Sequence, residues 1–127
     1  MKPCEVVYIA NVQKTYATVL GVVLLLVGLL GFFNNPILGL FGVNTAQNIL
    51  HLVAGVLGIW FGTKGEGKGY NMWTGIIAAV VAILWFVPGT GSDTGLLNSF
   101  FGINAAISYL HAAIAVVSLI VAYGVKE

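Results

Sequence analysis

Long apolar runs separated by short polar segments dominate this chain. Four runs, at residues 16–33, 45–61, 72–87 and 105–123, contain no Asp, Glu, Lys or Arg. A helix needs about 20 apolar residues to cross roughly 30 Å of hydrocarbon. Backbone groups at that depth must be bonded within the segment, and the runs lack the period-two alternation of a strand. We therefore predict an all-α membrane protein with four transmembrane helices.

The chain also contains an internal repeat. Residues 41–51 read Phe-Gly-Val-Asn-Thr-Ala-Gln-Asn-Ile-Leu-His, and 60 positions later residues 101–111 read Phe-Gly-Ile-Asn-Ala-Ala-Ile-Ser-Tyr-Leu-His. Each copy opens a predicted span, so the repeat unit is a helical hairpin, at approximately 16–62 and 71–124. Two crossings per unit give both units the same orientation. We predict one domain, residues 1–127, that forms an up-down four-helix bundle from two parallel-repeat hairpins.

The lysines predict the orientation in the membrane. Two precede the first span, two lie between the second and third spans, and one follows the fourth: Lys2, Lys14, Lys64, Lys68 and Lys126. The other two connections contain no lysine or arginine. Because cytoplasmic loops are enriched in these residues, we expect both termini on the cytoplasmic side of the cytoplasmic membrane.

Small and polar residues form one stripe on the second predicted helix and one on the fourth. At about 100° per residue, the members are Asn44, Asn48, Gly55 and Gly58 on the second helix, and Asn104, Ser108, Ala115 and Ser118 on the fourth. Small residues let helix backbones approach, and buried polar side chains form hydrogen bonds between helices. We predict that these two stripes form a structural seam inside the bundle.

The only histidines, His51 and His111, occupy equivalent positions in the two copies. They should lie at similar depth, on diagonal helices, where the two rings can face each other. One interpretation is a cofactor site, either bis-imidazole haem ligation or two ligands for chlorophyll-type magnesium. The other is structural, with each neutral histidine bonded to Asn48, Ser108 or a backbone carbonyl. We favour the structural interpretation and expect no cofactor, because the chain has no arginine to hold haem propionates.

Other binding chemistries are disfavoured by the sequence. Residues 62–69 (Gly-Thr-Lys-Gly-Glu-Gly-Lys-Gly) approximate a P-loop, but Gly69 replaces the magnesium-binding hydroxyl residue and no strand precedes the segment. We interpret it as a cytoplasmic turn that binds no nucleotide. The lysines form no patch for nucleic acid. A single cysteine, Cys4, excludes an internal disulfide.

Residues 17–123 resemble an uncharacterised family of small four-span bacterial membrane proteins, known as a domain of unknown function. The resemblance rests on Leu-Gly-Val-Val-Leu-Leu-Leu-Val-Gly-Leu-Leu-Gly-Phe at residues 20–32, and on the segment from Asn44 to His51 with Gly55 and Gly58 after it. It implies the four-span fold and no particular activity.

These patterns together favour a non-enzymatic small integral membrane protein. We expect a structural or accessory subunit that packs against other integral membrane proteins in the lipid bilayer. The alternative is a membrane protein that binds a tetrapyrrole, haem or a chlorophyll-type pigment, through His51 and His111.

Overall fold

Five helices make up most of the chain. The computed structural model describes residues 3–125, with side chains from residue 12 onward; Lys2, Lys126 and the side chain of Cys4 lie outside the described residues. In chain order the helices are α1 Pro3–Phe33, α2 Thr45–Thr63, α3 Gly67–Leu84, α4 Leu96–Phe101 and α5 Ala105–Gly124. The prediction of a helical fold is therefore confirmed.

Three helical stretches are long and apolar enough to cross a membrane: Val12–Phe33, Thr45–Thr63 and Ala105–Gly124. The helix α3 is not among these three stretches, and its first five residues include Lys68 and Asn71. Large apolar side chains point outward from all four long helices, as on Leu26, Val56, Ile83 and Ile120. A surface of this kind is suited to lipid rather than water, which agrees with a membrane protein.

The long helices pack in antiparallel pairs. The closest pairs are α1 with α2 and α3 with α5, whereas α2 and α3 make few contacts. The connections at residues 34–44 and 85–104 meet at one end of the molecule, which we call the long-loop end. The connection at residues 64–66 and the last turn of α5 lie at the other end, the short-turn end.

Two apolar clusters fill the interior. At the long-loop end the buried members are Ile37, Val43, Leu97, Ile103 and Ile107. Nearer the short-turn end they are Ala17, Leu20, Leu24 and Tyr70. Between these clusters the interior contains the two histidines.

The connections differ from prediction in two places. The segment 88–99, predicted as a loop, contributes the start of α4, whose buried Leu97 joins the cluster at the long-loop end. Six residues are too few to show a helical period in the sequence. The glycine-rich segment 62–69 is mostly helical, because α2 ends at Thr63 and α3 begins at Gly67. Only residues 64–66 form the turn between these helices, with Gly65 at φ 82°. A helix precedes the segment, whereas a P-loop requires a strand there.

Candidate functional site

Two asparagines cap the long helices at the long-loop end. The Oδ1 of Asn44 accepts a hydrogen bond from the backbone N–H of Gln47 at 3.0 Å. The Oδ1 of Asn104 accepts the equivalent bond from Ile107 at 3.1 Å. Each asparagine is therefore the N-cap of α2 or α5. Both asparagines lie one residue before the first residue of their helix, whereas the sequence pattern placed them within the helical stripes.

The same asparagines join the two halves of the chain. The Nδ2 of Asn44 donates to the carbonyl oxygen of Phe100 at 2.8 Å, and the Nδ2 of Asn104 donates to that of Leu40 at 2.9 Å. Leu40 and Phe100 are equivalent positions of the repeat, so these two bonds are reciprocal. In addition, the N–H of Gly42 donates to the Oδ1 of Asn104 at 3.0 Å. The long-loop end is thereby held by amides from both repeats.

The glycines of the repeated Phe-Gly-x-Asn motif let the two copies touch. A Cβ on Gly42 would lie 2.5 Å from the carbonyl oxygen of Gly102. Gly102 itself has φ 67°, in the left-handed region that favours glycine, and ends α4. The motif is therefore a backbone contact followed by a helix cap.

Buried amides also meet at the short-turn end. The Nδ2 of Asn71 donates to the Oε1 of Gln13 at 2.9 Å, and the Nε2 of Gln13 donates to the carbonyl of Val121 at 2.6 Å. The hydroxyls of Tyr16 and Ser118 are hydrogen-bonded at 2.7 Å. Asn71 is 0 % exposed, and the bond to Gln13 satisfies its Nδ2, while its Oδ1 has no partner among the described residues. These bonds join α1, α3 and α5.

The stripe on α2 packs against α1. A Cβ on Gly55 would lie 2.7 Å from the carbonyl oxygen of Gly21, and a Cβ on Gly58 would lie 2.8 Å from the Cα of the same residue. The amide of Asn48 occupies the space that a side chain on Gly31 would need. Backbone contact is therefore possible only because these positions are glycine.

The stripe on α5 is also buried, but it faces α3. Ser108, Ala115 and Ser118 are all buried, and a Cβ on Gly75 would lie 3.2 Å from the Cβ of Ser118. The Ser108 hydroxyl donates to the carbonyl of Asn104 at 2.9 Å, within its own helix. Each stripe therefore packs mainly on the other long helix of its own hairpin, while Ser118 also bonds to Tyr16 of α1 and Gly58 lies against Tyr70 of α3.

The structure brings the two histidines together in the interior. The ring centroids of His51 and His111 are 6.3 Å apart and the ring planes are inclined by 67°. The sequence predicted that the two rings can face each other, and the structure places them close together.

The histidines do not make the hydrogen bonds expected of structural residues. Among the described residues, neither buried Nδ1 atom has a hydrogen-bond partner. Ser108 donates elsewhere, and Asn48 faces Gly31 with its Oδ1 also unpartnered. Asn48 and Ser108 therefore do not form hydrogen bonds with these Nδ1 atoms in the described structure.

A cavity of about 340 Å³ adjoins both imidazoles. Its polar lining comes from Gln47, His51, Thr74 and His111, and most of the remaining lining is aliphatic. A mostly apolar cavity with a few convergent polar groups is the usual form of a small-molecule site. It is the candidate functional site of this protein.

The cavity continues into a second one along the gap between α2 and α3. This neighbour has a volume of about 510 Å³ and shares four lining residues with the first: Ala54, Leu57, Thr74 and Ile77. It extends to Trp73 and Lys68 near the short-turn end. The two cavities form a lateral cleft, which exists because α2 and α3 are the least closely packed neighbours in sequence.

The chemistry available in the cleft is hydrogen bonding and, at most, two nitrogen ligands. Within residues 12–125, no three side chains among His, Cys, Asp and Glu cluster to hold a metal ion. At the end of α2, Lys64 lies with its Nζ 4.1 Å from the ring centroid of Trp60. That lysine therefore stays at the surface.

Sequence reasoning missed Gln13, Gln47 and Asn71. Each is an amide within or beside an apolar run, and all three are buried. An uncharged polar residue is costly in hydrocarbon unless it has a partner, so these positions could have been marked as interior from their type alone.

The fold is mostly helical, and three of its helices could cross a membrane. The chain belongs to the family described as a domain of unknown function (DUF4383), which matches residues 14–124. No curated protein and no solved structure matches the chain. The resemblance stated from the sequence is confirmed at the level of a domain of unknown function.

Proposed function

We propose that the chain is an integral membrane protein with four spans and both termini on the cytoplasmic side. The helix α3 has 18 residues, about 27 Å at 1.5 Å per residue, which is close to the thickness of the hydrocarbon core. It lies antiparallel to α5 over that length. If α3 also crosses, all five lysines fall on one side, as the positive-inside rule favours.

Cysteine labelling tests this topology. In a Cys4→Ser background, Ser92→Cys should react with a membrane-impermeant maleimide in intact cells, and Lys64→Cys only in inverted vesicles. Both positions are exposed, so the difference reports the side of the membrane. Labelling of both from the same side would contradict four spans.

We further propose that the two hairpins are parallel structural repeats, related by a pseudo-twofold axis along the membrane normal. The support for this proposal is that equivalent positions of α2 and α5 are buried. The buried residues of α2 are Gln47, Asn48, Gly55, Gly58 and Gly62. Those of α5 are Ile107, Ser108, Ala115, Ser118 and Ala122, which are the same positions of the repeat.

One observation favours a non-enzymatic accessory subunit. At the long-loop end, beyond the spanning helices, four large apolar residues form an exposed surface, the loop-end patch: Leu38, Leu40, Leu96 and Phe100. The two bonds from Asn44 and Asn104 hold Phe100 and Leu40 beside each other. Exposed apolar patches of this kind are typical of protein–protein interaction sites.

The backbone at Leu38 supports the same proposal. This residue has φ 56° and is 71 % exposed. A left-handed conformation costs a residue with a Cβ roughly 1–2 kcal/mol, and here it directs a leucine away from the core. Such a cost is typical of functional positions. The proposed partner is another integral membrane protein that covers the loop-end patch.

Native electrophoresis of the protein extracted from its own membrane in mild detergent tests the proposal. The wild-type chain should migrate within a larger complex, and the double variant Leu40→Ser, Phe100→Ser should migrate alone. Val87→Ser, an exposed position outside the patch, is the control and should leave the complex intact. A wild-type chain that already migrates alone would contradict the accessory role.

A second candidate function is tetrapyrrole binding, and the approach of the two imidazoles to 6.3 Å favours it. Both rings could supply nitrogen ligands to one haem iron. The test is the absorption spectrum of protein from native membranes. Stoichiometric pigment that His51→Gln and His111→Gln each abolish is expected for haem, and a colourless preparation would contradict this candidate.

A further inference from the structure

Three polar side chains that line the cavity beside the histidine rings each have a buried atom without a hydrogen-bond partner among the described residues. Gln47 is 3 % exposed and its Nε2 donates to two carbonyls, those of Gly42 at 3.1 Å and Phe101 at 2.8 Å. These bonds fix the amide, so its Oε1 cannot turn away to find a partner within the described residues. The Oε1 of Gln47 and the Nδ1 atoms of His51 and His111 are all buried and unpartnered.

A fixed, buried acceptor without a donor is costly in a protein interior, and more so where lipid surrounds the fold. Gln47 lines the same cavity as both histidines. Three polar side chains from two helices therefore converge on one mostly apolar space. A hydroxyl-bearing ligand in this space can bond to the polar side chains that line it.

The shape of the cleft adds a second property of the ligand. From Gln47 to Phe61, the α2 residues that mark its two ends, the helix rises about 21 Å. Between these ends the lining is largely aliphatic, and the space opens between α2 and α3 toward the lipid. It suits a long apolar chain that enters from the bilayer.

We propose that the cleft binds a lipid-soluble molecule with a hydroxyl-bearing head and a long apolar tail, the chemistry of a membrane quinol. The hydroxyl bonds to the imidazoles of His51 and His111, which line the cavity and can donate or accept according to their tautomer. The tail lies along the α2–α3 gap toward Trp73. This site is separate from the loop-end patch, so either proposal can fail without the other.

Binding can be measured with the full chain in lipid nanodiscs, by quenching of tryptophan fluorescence. The probes are decylhydroquinone and its dimethyl ether, which has the same tail but no hydroxyl donor. The hydroquinone should bind saturably, with empty nanodiscs as the baseline. The ether should bind at least about tenfold more weakly, which corresponds to about 1.4 kcal/mol.

Two alanine variants test the location. Ala78→Leu fills the cavity that Ala78 lines and should abolish saturable binding. Ala113→Leu adds the same side chain on an exposed face and should bind as the wild type does. Thermal unfolding of both variants identifies a binding loss that comes from misfolding. In that case His51→Leu, which removes a polar group without adding bulk, serves as the second variant and should also lose binding.

Three results would overturn the proposal. One is the absence of saturable binding by the wild type. Another is equal affinity for the hydroquinone and its ether, and a third is unchanged affinity in both folded variants. Stoichiometric tetrapyrrole in the native preparation would also overturn it, because the pigment would occupy the same cavity.

Discussion

Replacing Asn104 should destabilise the protein more than replacing Asn44, although the two residues are equivalent in the repeat. The Oδ1 of Asn104 accepts from Ile107 and also from Gly42, and its Nδ2 donates across to Leu40. Asn44 makes the corresponding cap and the corresponding crossing bond, but its Oδ1 accepts no second bond among the described residues. The comparison therefore isolates one extra hydrogen bond.

The magnitudes follow from the bond types. Loss of an asparagine N-cap costs about 1 kcal/mol, within a range of roughly 0.5–2. Each further hydrogen bond adds about 1 kcal/mol, or nearer 0.6 kcal/mol if membrane-helix values apply. Asn44→Ala should then lower the free energy of unfolding by about 2 kcal/mol and Asn104→Ala by about 3 kcal/mol.

The assay is reversible unfolding in mixed detergent and dodecyl sulfate micelles, followed by far-ultraviolet circular dichroism. Serine variants separate the two contributions, because serine retains the cap but cannot reach the opposite carbonyl. Asn44→Ser should therefore lose only the crossing bond, about 0.6–1 kcal/mol. Equal losses for the two alanine variants would refute the extra bond from Gly42, and serine variants as stable as the wild type would refute the reciprocal crossing bonds.

Two further predictions concern the contact between α1 and α2. Gly31→Ala should destabilise the fold, because the added methyl meets the amide of Asn48, whereas Gly69→Ala has open space and should be neutral or stabilising by up to about 1 kcal/mol; thermal unfolding of both in detergent checks this. Gly55→Leu should cost at least about 1–3 kcal/mol while Val56→Leu, at an exposed position, stays near wild type; equal stabilities would mean that α1 does not pack on this face.

The helices were predictable because apolar runs of this length have few alternatives in a bilayer. The residues at which the helices begin were harder to predict. The helix α1 begins at Pro3 rather than at residue 16, and α3 begins at Gly67 rather than at residue 72. Helices continue past the hydrocarbon where nothing in the sequence stops them, and hydropathy reports only the apolar part.

The role of the repeated asparagines could not be derived from spacing alone. A residue at helical spacing from Asn48 and Gly55 fits a stripe equally well whether it lies in the helix or one residue before it. The capping function of Asn44 depends on the extended backbone that precedes α2. The crossing bond to Phe100 depends on contact between two loops, which neither loop encodes by itself.

The histidine pair was predictable in position but not in bonding. The repeat makes His51 and His111 equivalent positions, and helices that run in the same direction were expected to bring them to a similar depth. Their missing partners could not be foreseen, because Asn48 turns to the glycine face of α1 instead. This orientation of the Asn48 side chain depends on the small volume of Gly31, which is distant in sequence.

The distribution of polar bonds along the molecule explains how a cleft can persist in a small fold. Amides join the halves at both ends, through Asn44 and Asn104 at the long-loop end and through Gln13 and Asn71 at the short-turn end. Between these two layers the two histidines meet without a partner, and the lining of the cleft beside them includes the small side chains of Ala54 and Ala78.

Leucine at such positions would bury more apolar surface and stabilise the contact between α2 and α3. The chain instead leaves a space beside Gln47, His51 and His111, which contain three of the five buried polar atoms without a partner among the described residues. Because stabilising substitutions often cost function where activity needs flexibility or a destabilised site, leucine at Ala54 or Ala78 should raise the stability of the fold and weaken binding of the proposed ligand.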